Sequence, residues 1–131
     1  KRVRNFTGTV VKEQPVAHLN LGEYSIATDA AGRLARDLYR WIGSRIGAED
    51  FTQEDRLYAK GQTAFVSKLC RDTINAMMAA SGASSFHENQ PLQRYWRDLN
   101  IVSTHTFWDW DVTREMTGRM KLGLPVMHPL V

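Results

Sequence analysis

The stretch ASGASSFHENQPLQRYWRDLNIVSTHTFWDWD, residues 80–111, combines four features in one segment. A loop of glycine and serine leads into a segment that begins at Pro91 and carries arginines. A Ser-Thr-His triplet follows, and three aromatic side chains then fall within four residues, 107–110. Proline suits the first turn of a helix, because the N–H that it lacks would find no partner inside the helix. The segment therefore predicts a loop, a helix and an aromatic-rich continuation.

Apolar residues at spacings of three and four extend the helical pattern in both directions. We predict a first helix over 16–46, a second over 52–80, a third from Pro91 and a fourth over 107–122. The predicted apolar face of the first helix is Ala27, Ala31, Leu34, Leu38 and Trp41. That of the second is Tyr58, Phe65, Leu69, Ala76 and Ala80.

This pattern predicts an all-α fold, an antiparallel four-helix bundle with a short extended N-terminal arm. We assign residues 1–15 to the arm, as a linker from a missing β domain, and residues 16–131 to the bundle. The side chains expected to be buried are Leu34, Leu38, Trp41, Phe65, Leu69, Leu99 and Met116.

Composition narrows the class of protein. The 131 residues carry a net charge of +3, with basic and acidic side chains interspersed, which favours a solvated helical surface over a nucleic-acid partner. The sequence lacks an apolar run long enough to span a membrane or to act as a signal peptide, so we expect a cytoplasmic protein with no membrane partner. The single cysteine, Cys70, falls within an apolar helical pattern and is expected to be an unreactive core residue.

Each chemical feature also has an ordinary structural explanation. The four histidines share no metal-ligand spacing, so we predict no metal site. The glycine-serine loop could hold a phosphate or a ring carbonyl, or it could simply be a turn. Arg94 and Asp98 are four residues apart and can pair on the helix surface. His105 alone could be a capping or core residue.

Taken together, the order of these features is more specific. Arg71, ASGASS, PLQRYWRDLNIVSTH and the aromatic helix after it resemble the C-terminal helical domain of the acyl-CoA dehydrogenase superfamily. In the dehydrogenases a catalytic glutamate follows the Arg-Asp pair by eight or nine residues. Here the residues after Arg97-Asp98 are LNIVSTHTF, which contain no carboxylate to take the substrate proton. The Ser-Thr-His version is instead similar to the two-component (group D) flavin-dependent monooxygenases and hydroxylases.

This resemblance implies a set of roles. His105 would be the catalytic residue that helps to form or hold a hydroperoxyflavin. The flavin would be bound by Gly82, Ala83, Ser84 and Ser85, across a subunit boundary, and Phe107 would touch the ring or the substrate. The cofactor would be reduced FMN or FAD from a separate flavin reductase, the substrate aromatic or similarly apolar, and the assembly a homotetramer.

The family enzymes also have two further domains, with the flavin bound between domains. We therefore expect this chain to be a fragment that is inactive alone, as its start at a residue other than methionine also suggests. Two alternatives stay open. One is an acyl-CoA dehydrogenase-like domain, and the other is a stand-alone helical interaction module.

Overall fold

The computed structural model describes residues 8, 10–47 and 51–128, and four α-helices account for most of this part of the chain. We label them α1 (Pro15–Gly43), α2 (Gln53–Ser81), α3 (Pro91–Val102) and α4 (Trp110–Lys121). Short 3-10 helices occupy Val11–Glu13, Ala83–Phe86 and Thr106–Trp108. In the described ranges, none of the helices has the length and apolar character that a membrane span requires.

Helix α2 lies at the centre, because α1, α3 and α4 all pack against it. It runs antiparallel to α1: Trp41 near the end of α1 packs against Tyr58 near the start of α2, with tilted rings whose centroids are 4.8 Å apart. Helices α3 and α4 follow one another along the other side of α2. Asn100 of α3 bonds Asn75, whereas Trp110 of α4 packs on Phe65 at 5.4 Å. The junction between α3 and α4 therefore faces the middle of α2.

Local chemistry sets both ends of α2. Thr52 forms a capping box with Asp55: the Asp55 N–H donates to the Thr52 hydroxyl oxygen at 3.1 Å, and the Thr52 N–H donates to the Asp55 carboxylate at 3.1 Å. The same carboxylate forms an ion pair with Arg45 at 2.8 Å, which joins the segment after α1 to the start of α2. Gly82 ends α2 at φ +74°, a conformation that favours glycine.

The all-α fold and the buried face of α1 are confirmed, but the predicted burial is only partly right. Leu38 and Met116 are buried, and Leu34, Trp41, Leu69 and Leu99 are intermediate. Phe65 is 38% exposed, so that prediction was wrong. The predicted face of α2 lies beside the real one, which consists of Leu57, Lys60, Ala64, Ser67, Ile74 and Met78. Lys60 and Ser67 interrupt this stripe with polar side chains, which hid it in the sequence pattern.

Helix boundaries differ from those predicted at the start of α4 and at both ends of α1, which stops at Gly43 and not at residue 46. Helix α4 begins at Trp110 and not at residue 107, because the Asp109 side chain caps it by accepting the Asp111 and Val112 N–H groups. Most of the predicted arm, residues 1–7 and 9, lies outside the described residues. Within that arm, Val11–Glu13 form a turn of 3-10 helix, and α1 already starts at Pro15.

Candidate functional site

The junction between α3 and α4 is built by the Ser-Thr-His triplet. The hydroxyl of Ser103 donates to the carbonyl of Asn100 at 3.1 Å, and that of Thr104 donates to the carbonyl of Ile101 at 2.7 Å. Both carbonyls lie in the last turn of α3, where helix carbonyls lack intrahelical partners. Ser103 and Thr104 therefore end the helix, and the chain turns so that the next side chain, His105, is exposed.

His105 itself caps the following 3-10 turn. Its Nδ1 accepts a hydrogen bond from the Phe107 N–H at 3.2 Å. A nitrogen that accepts cannot carry the ring proton, so the neutral imidazole holds that proton on Nε2. The contact leaves Nε2–H as a hydrogen-bond donor on an exposed side chain.

A buried lysine lies under this turn. Lys60 of α2 is 2% exposed, and its ammonium nitrogen lies 5.7 Å from the ring centroid of Phe107. Burial lowers the pKa of Lys60 from its ordinary value, while the nearby Asp109 carboxylate opposes that shift. Within the described residues, the ammonium group has no hydrogen-bond partner.

A polar cleft of about 320 Å³ opens beside the same junction. It is lined by Arg71, Ser103, Thr104, Asp109, Trp110 and Asp111. The Arg71 guanidinium is about one-third exposed and has a long ion pair with Asp72, at 3.8 Å. Asp111 pairs with Arg114 at 2.9 Å, and Asp109 serves as the cap of α4. The cleft thus offers a cation and hydroxyl oxygens at the same junction of α3 and α4 that carries His105.

The glycine-serine loop forms a compact 3-10 turn at the end of α2. The Ser85 N–H donates to the Gly82 carbonyl at 3.0 Å, and the Ser85 hydroxyl donates to the Ser81 carbonyl at 3.2 Å. Ser85 therefore already uses its hydroxyl proton to cap α2. Ala83 and Ser84 are exposed, and the Ser84 hydroxyl is the side-chain donor of this loop that faces solvent.

The predicted site residues fall into two groups. His105 and Phe107 share one turn, and Gly82, Ala83, Ser84 and Ser85 share the other. Helix α3 separates the two groups, and its 12 residues extend about 18 Å at 1.5 Å per residue. The glycine-serine loop therefore precedes α3, and the turn with His105 and Phe107 follows it.

A hydrogen-bonded cluster fixes α3 between these two groups. Asn75 of α2 accepts from the Trp96 indole at 2.7 Å and from the Asn100 side chain at 3.1 Å. The Trp96 ring also packs edge-on against Phe86 of the loop, with centroids 5.7 Å apart. Sequence reasoning missed Asn75 and Lys60. The signal was available for Lys60, since it stands three and four residues from Leu57 and Ala64 on one helical stripe.

A family model and individual relatives indicate the same protein family. The family described as "Acyl-CoA dehydrogenase, C-terminal domain" matches residues 1–110. A pigment production hydroxylase of Rhodococcus sp. (strain ATCC 21145) is 32% identical over 135 residues, which is 100% of this chain and 35% of the relative. The oxygenase component of p-hydroxyphenylacetate 3-hydroxylase from Acinetobacter baumannii is 30% identical over 94% of this chain and 29% of its own length.

Solved structures agree on the fold. XiaF from Streptomyces sp., solved in complex with FADH2 and glycerol, aligns over 100% of this chain with a TM-score of 0.87 at 24% identity. The 3-HSA hydroxylase from Rhodococcus sp. RHA1 aligns over 92% with a TM-score of 0.80 at 27% identity. The alignments cover 33% and 32% of those chains, so this chain spans about a third of the proteins that it matches.

Proposed function

The chain belongs to the acyl-CoA dehydrogenase family, as its C-terminal domain, and we propose that it forms part of a reduced-flavin-dependent monooxygenase that hydroxylates an aromatic substrate. Its contribution would be one wall of the flavin site and a surface for self-association. The relatives are about three times longer, so the proposed activity belongs to a longer protein in which residues 16–131 are the C-terminal bundle.

One observation carries the choice of the monooxygenase over the dehydrogenase branch. The junction after α3 presents an exposed imidazole, His105, and residues 99–108 contain no carboxylate. Removal of a proton from an acyl substrate needs a general base at this place, whereas oxygen chemistry on a flavin needs a hydrogen-bond donor and exclusion of water. The names of the relatives, which are hydroxylases and oxygenase components, support the same choice.

The residues present suit a reduced flavin. The Nε2–H of His105 and the hydroxyl of Ser84 are neutral donors, which match ring carbonyl and phosphate oxygens. When bound, reduced FMN or FAD supplies the activation of oxygen. His105 would donate a hydrogen bond to the flavin from Nε2, and Phe107 and Trp108 would keep water away from that place. The Gly82–Ser85 loop would meet a flavin held mainly by another copy, since α3 separates it from His105.

Partners follow from the same proposal. A relative named as an oxygenase component implies a separate component that delivers reduced flavin, and we propose a flavin reductase for this chain also. A two-component arrangement requires that reduced flavin dissociate from one protein and bind the other. The substrate would be a small aromatic molecule.

Self-association is the second part of the proposal. Helix α1 buries one face on α2 but also exposes large apolar side chains along its length. Leu19 and Ile26 are 72% and 74% exposed and stand seven residues, two helical turns, apart. Tyr39, near the end of α1, is 80% exposed, and Ile46, in the turn after the helix, is 79% exposed. Such surface is typical of protein interfaces, and we propose that it packs against another copy in a homotetramer.

The test uses the complete oxygenase that contains this chain, with a reductase that supplies reduced FMN or FAD. His105→Ala should bind flavin nearly as well as the parent but yield less hydroxylated product per reduced flavin, with hydrogen peroxide released in its place. Loss of one hydrogen bond to a charge-developing group costs about 1.5–3 kcal/mol, so a roughly ten- to hundredfold loss of product formation is expected.

His18→Ala is the matched control. His18 lies in the first turns of α1, where its Nε2 contacts the Lys12 carbonyl at 2.8 Å, and it belongs to neither helix of the α3–α4 junction. This variant should couple oxygen to product as the parent does. Equal coupling in His105→Ala and the parent would contradict the proposal, and a thioester dehydrogenation product would favour the other branch.

A further inference from the structure

Lys60 is a buried cation for which the bundle provides no hydrogen-bond acceptor. It is 2% exposed, its three donors are unpartnered within the described residues, and it occupies the apolar stripe of α2 between Leu57 and Ala64. A buried charge without a partner is costly, and an apolar side chain of similar length would remove that cost. Packing alone therefore does not explain a lysine at this position.

The surroundings of the ammonium group suggest what it does. It lies 5.7 Å from the centre of the Phe107 ring, within the range of a cation–π contact, which is stronger when solvent is excluded. The Asp109 carboxylate, at the start of α4, favours the charged form of Lys60. Phe107 and Asp109 belong to the turn and the cap that directly follow His105.

The backbone of Phe107 connects this contact to the imidazole. Its N–H donates to His105 Nδ1 at 3.2 Å, a bond that depends on the placement of the 3-10 turn Thr106–Trp108. The ring of Phe107 is 38% exposed, so its outer side has few neighbours, and Trp108 packs against it at a centroid distance of 5.4 Å. The Lys60 ammonium is the charged contact on its inner side.

We propose that Lys60 is a positioning residue for His105: its ammonium group holds the Phe107 ring, and the Phe107 N–H keeps the imidazole in the tautomer that presents Nε2–H outward. Lys60 touches neither substrate nor cofactor in this role. The proposal rests on the proposed function only for the identity of the group that Nε2–H meets.

The experiment uses the 131-residue chain without flavin, labelled with 15N. Lys60→Met removes the charge but keeps the length of the side chain. Nuclear magnetic resonance at about pH 8, where an ordinary histidine is neutral, reports the His105 tautomer from its two ring nitrogens. The ratio of the Nε2–H to the Nδ1–H form should fall roughly fivefold, the effect of losing one neutral hydrogen bond. Amide exchange of Phe107 should accelerate by a similar factor, whereas that of Ser103, which bonds the Leu99 carbonyl, should not change.

Lys68→Met is the matched control, because Lys68 is on the same helix but pairs with Asp72 at the surface. It should leave both His105 and Phe107 unchanged. A Lys60→Met protein whose His105 tautomer and Phe107 amide match the parent would overturn the proposal.

A second variant keeps the proposal testable if Lys60→Met does not fold. Phe107→Leu removes the ring but leaves the backbone N–H, and it should shift the tautomer in the same direction. An unchanged tautomer there would also overturn the proposal. Neither readout requires catalysis, so a failure of the monooxygenase assignment would not affect them.

Discussion

The indole N–H of Trp96 donates to the side-chain oxygen of Asn75 at 2.7 Å, and this bond joins α3 to the central helix. The same oxygen accepts from Asn100 at 3.1 Å. Because Trp96 also packs against Phe86, one polar contact influences both the glycine-serine loop and the helix that ends at His105. The two groups of site residues thus share a support although α3 separates them.

Replacing Asn75 should destabilise the bundle. Asn75→Ala leaves the half-buried Trp96 indole N–H without its acceptor and removes one of the two acceptors of the Asn100 amide, and an unsatisfied group of this kind is costly. We expect a loss of about 1–3 kcal/mol in the free energy of unfolding, measured by urea denaturation followed by circular dichroism. The exposed Asn89 serves as the control, and Asn89→Ala should stay within about 0.5 kcal/mol of the parent. Similar values for the two variants would show that the cluster is not a support.

The core of α2 gives a second prediction, which compares a buried leucine with an exposed one. Leu57 is 2% exposed, whereas Tyr58, its neighbour on the predicted face, is 46% exposed. Leu57→Ala should lower the free energy of unfolding by about 2–5 kcal/mol through lost burial and a cavity. Leu122→Ala, at 77% exposure, should cost much less. Equal denaturation midpoints for the two leucine variants would contradict this prediction.

Several parts of the fold could be predicted from the sequence because they depend on local chemistry. Pro91 and Thr52 mark helix starts by what their own atoms can or cannot bond, and the structure places helix boundaries at both. The buried face of α2 was missed, since another element covers Lys60 and only its spacing from Leu57 and Ala64 pointed to that face. The periodicity of apolar residues treats a lysine as exposed. A buried lysine therefore shifts the predicted face by one position, from Leu57 to Tyr58.

The candidate site also has one part that the sequence predicted and one part that it did not. The exposure of His105 follows from Ser103 and Thr104, whose hydroxyls end α3 just before it, and both residues are visible in the sequence. The contact between Lys60 and Phe107 was not predicted, because it depends on how α2 packs against the turn after α3. The resemblance to a known family indicated both His105 and Ser84, and it implied that the loop meets a flavin across a subunit boundary.

The capping box of α2 predicts a specific response to acid. The pKa of Asp55 is lowered from its ordinary value of 3.8, chiefly by the hydrogen bond from the Thr52 side chain, with smaller contributions from the Thr52 N–H and from Arg45. A group whose pKa is lower in the folded state stabilises the protein above its unfolded pKa and loses that contribution as the pH falls through its folded value. Asp55→Asn should therefore have a lower Tm than the parent at neutral pH.

That difference in Tm should shrink as the pH falls below 3.8. Thermal denaturation of both proteins across this range checks the expectation. Asp29→Asn, which alters an exposed pair with Arg33 within α1, provides the comparison for a carboxylate outside the capping box. A Tm difference for Asp55→Asn that stays constant on acidification would contradict the linkage.

The two serines of the loop should separate stability from cofactor binding. Ser85 donates its hydroxyl proton to the Ser81 carbonyl at 3.2 Å, so Ser85→Ala removes a helix-ending bond and should cost about 0.5–1.5 kcal/mol of stability. Ser84 is exposed, and Ser84→Ala should leave the denaturation midpoint of the bundle unchanged.

In the complete oxygenase, flavin binding should instead depend more on Ser84 than on Ser85, because the Ser84 hydroxyl can still donate to a phosphate or ring oxygen. The Kd for reduced flavin should rise roughly ten- to hundredfold in Ser84→Ala, as expected when a hydrogen bond to a charged group is lost, and much less in Ser85→Ala. Anaerobic titration with reduced FMN and FAD measures both dissociation constants. A larger increase in Kd for Ser85→Ala than for Ser84→Ala would assign the flavin contact to Ser85.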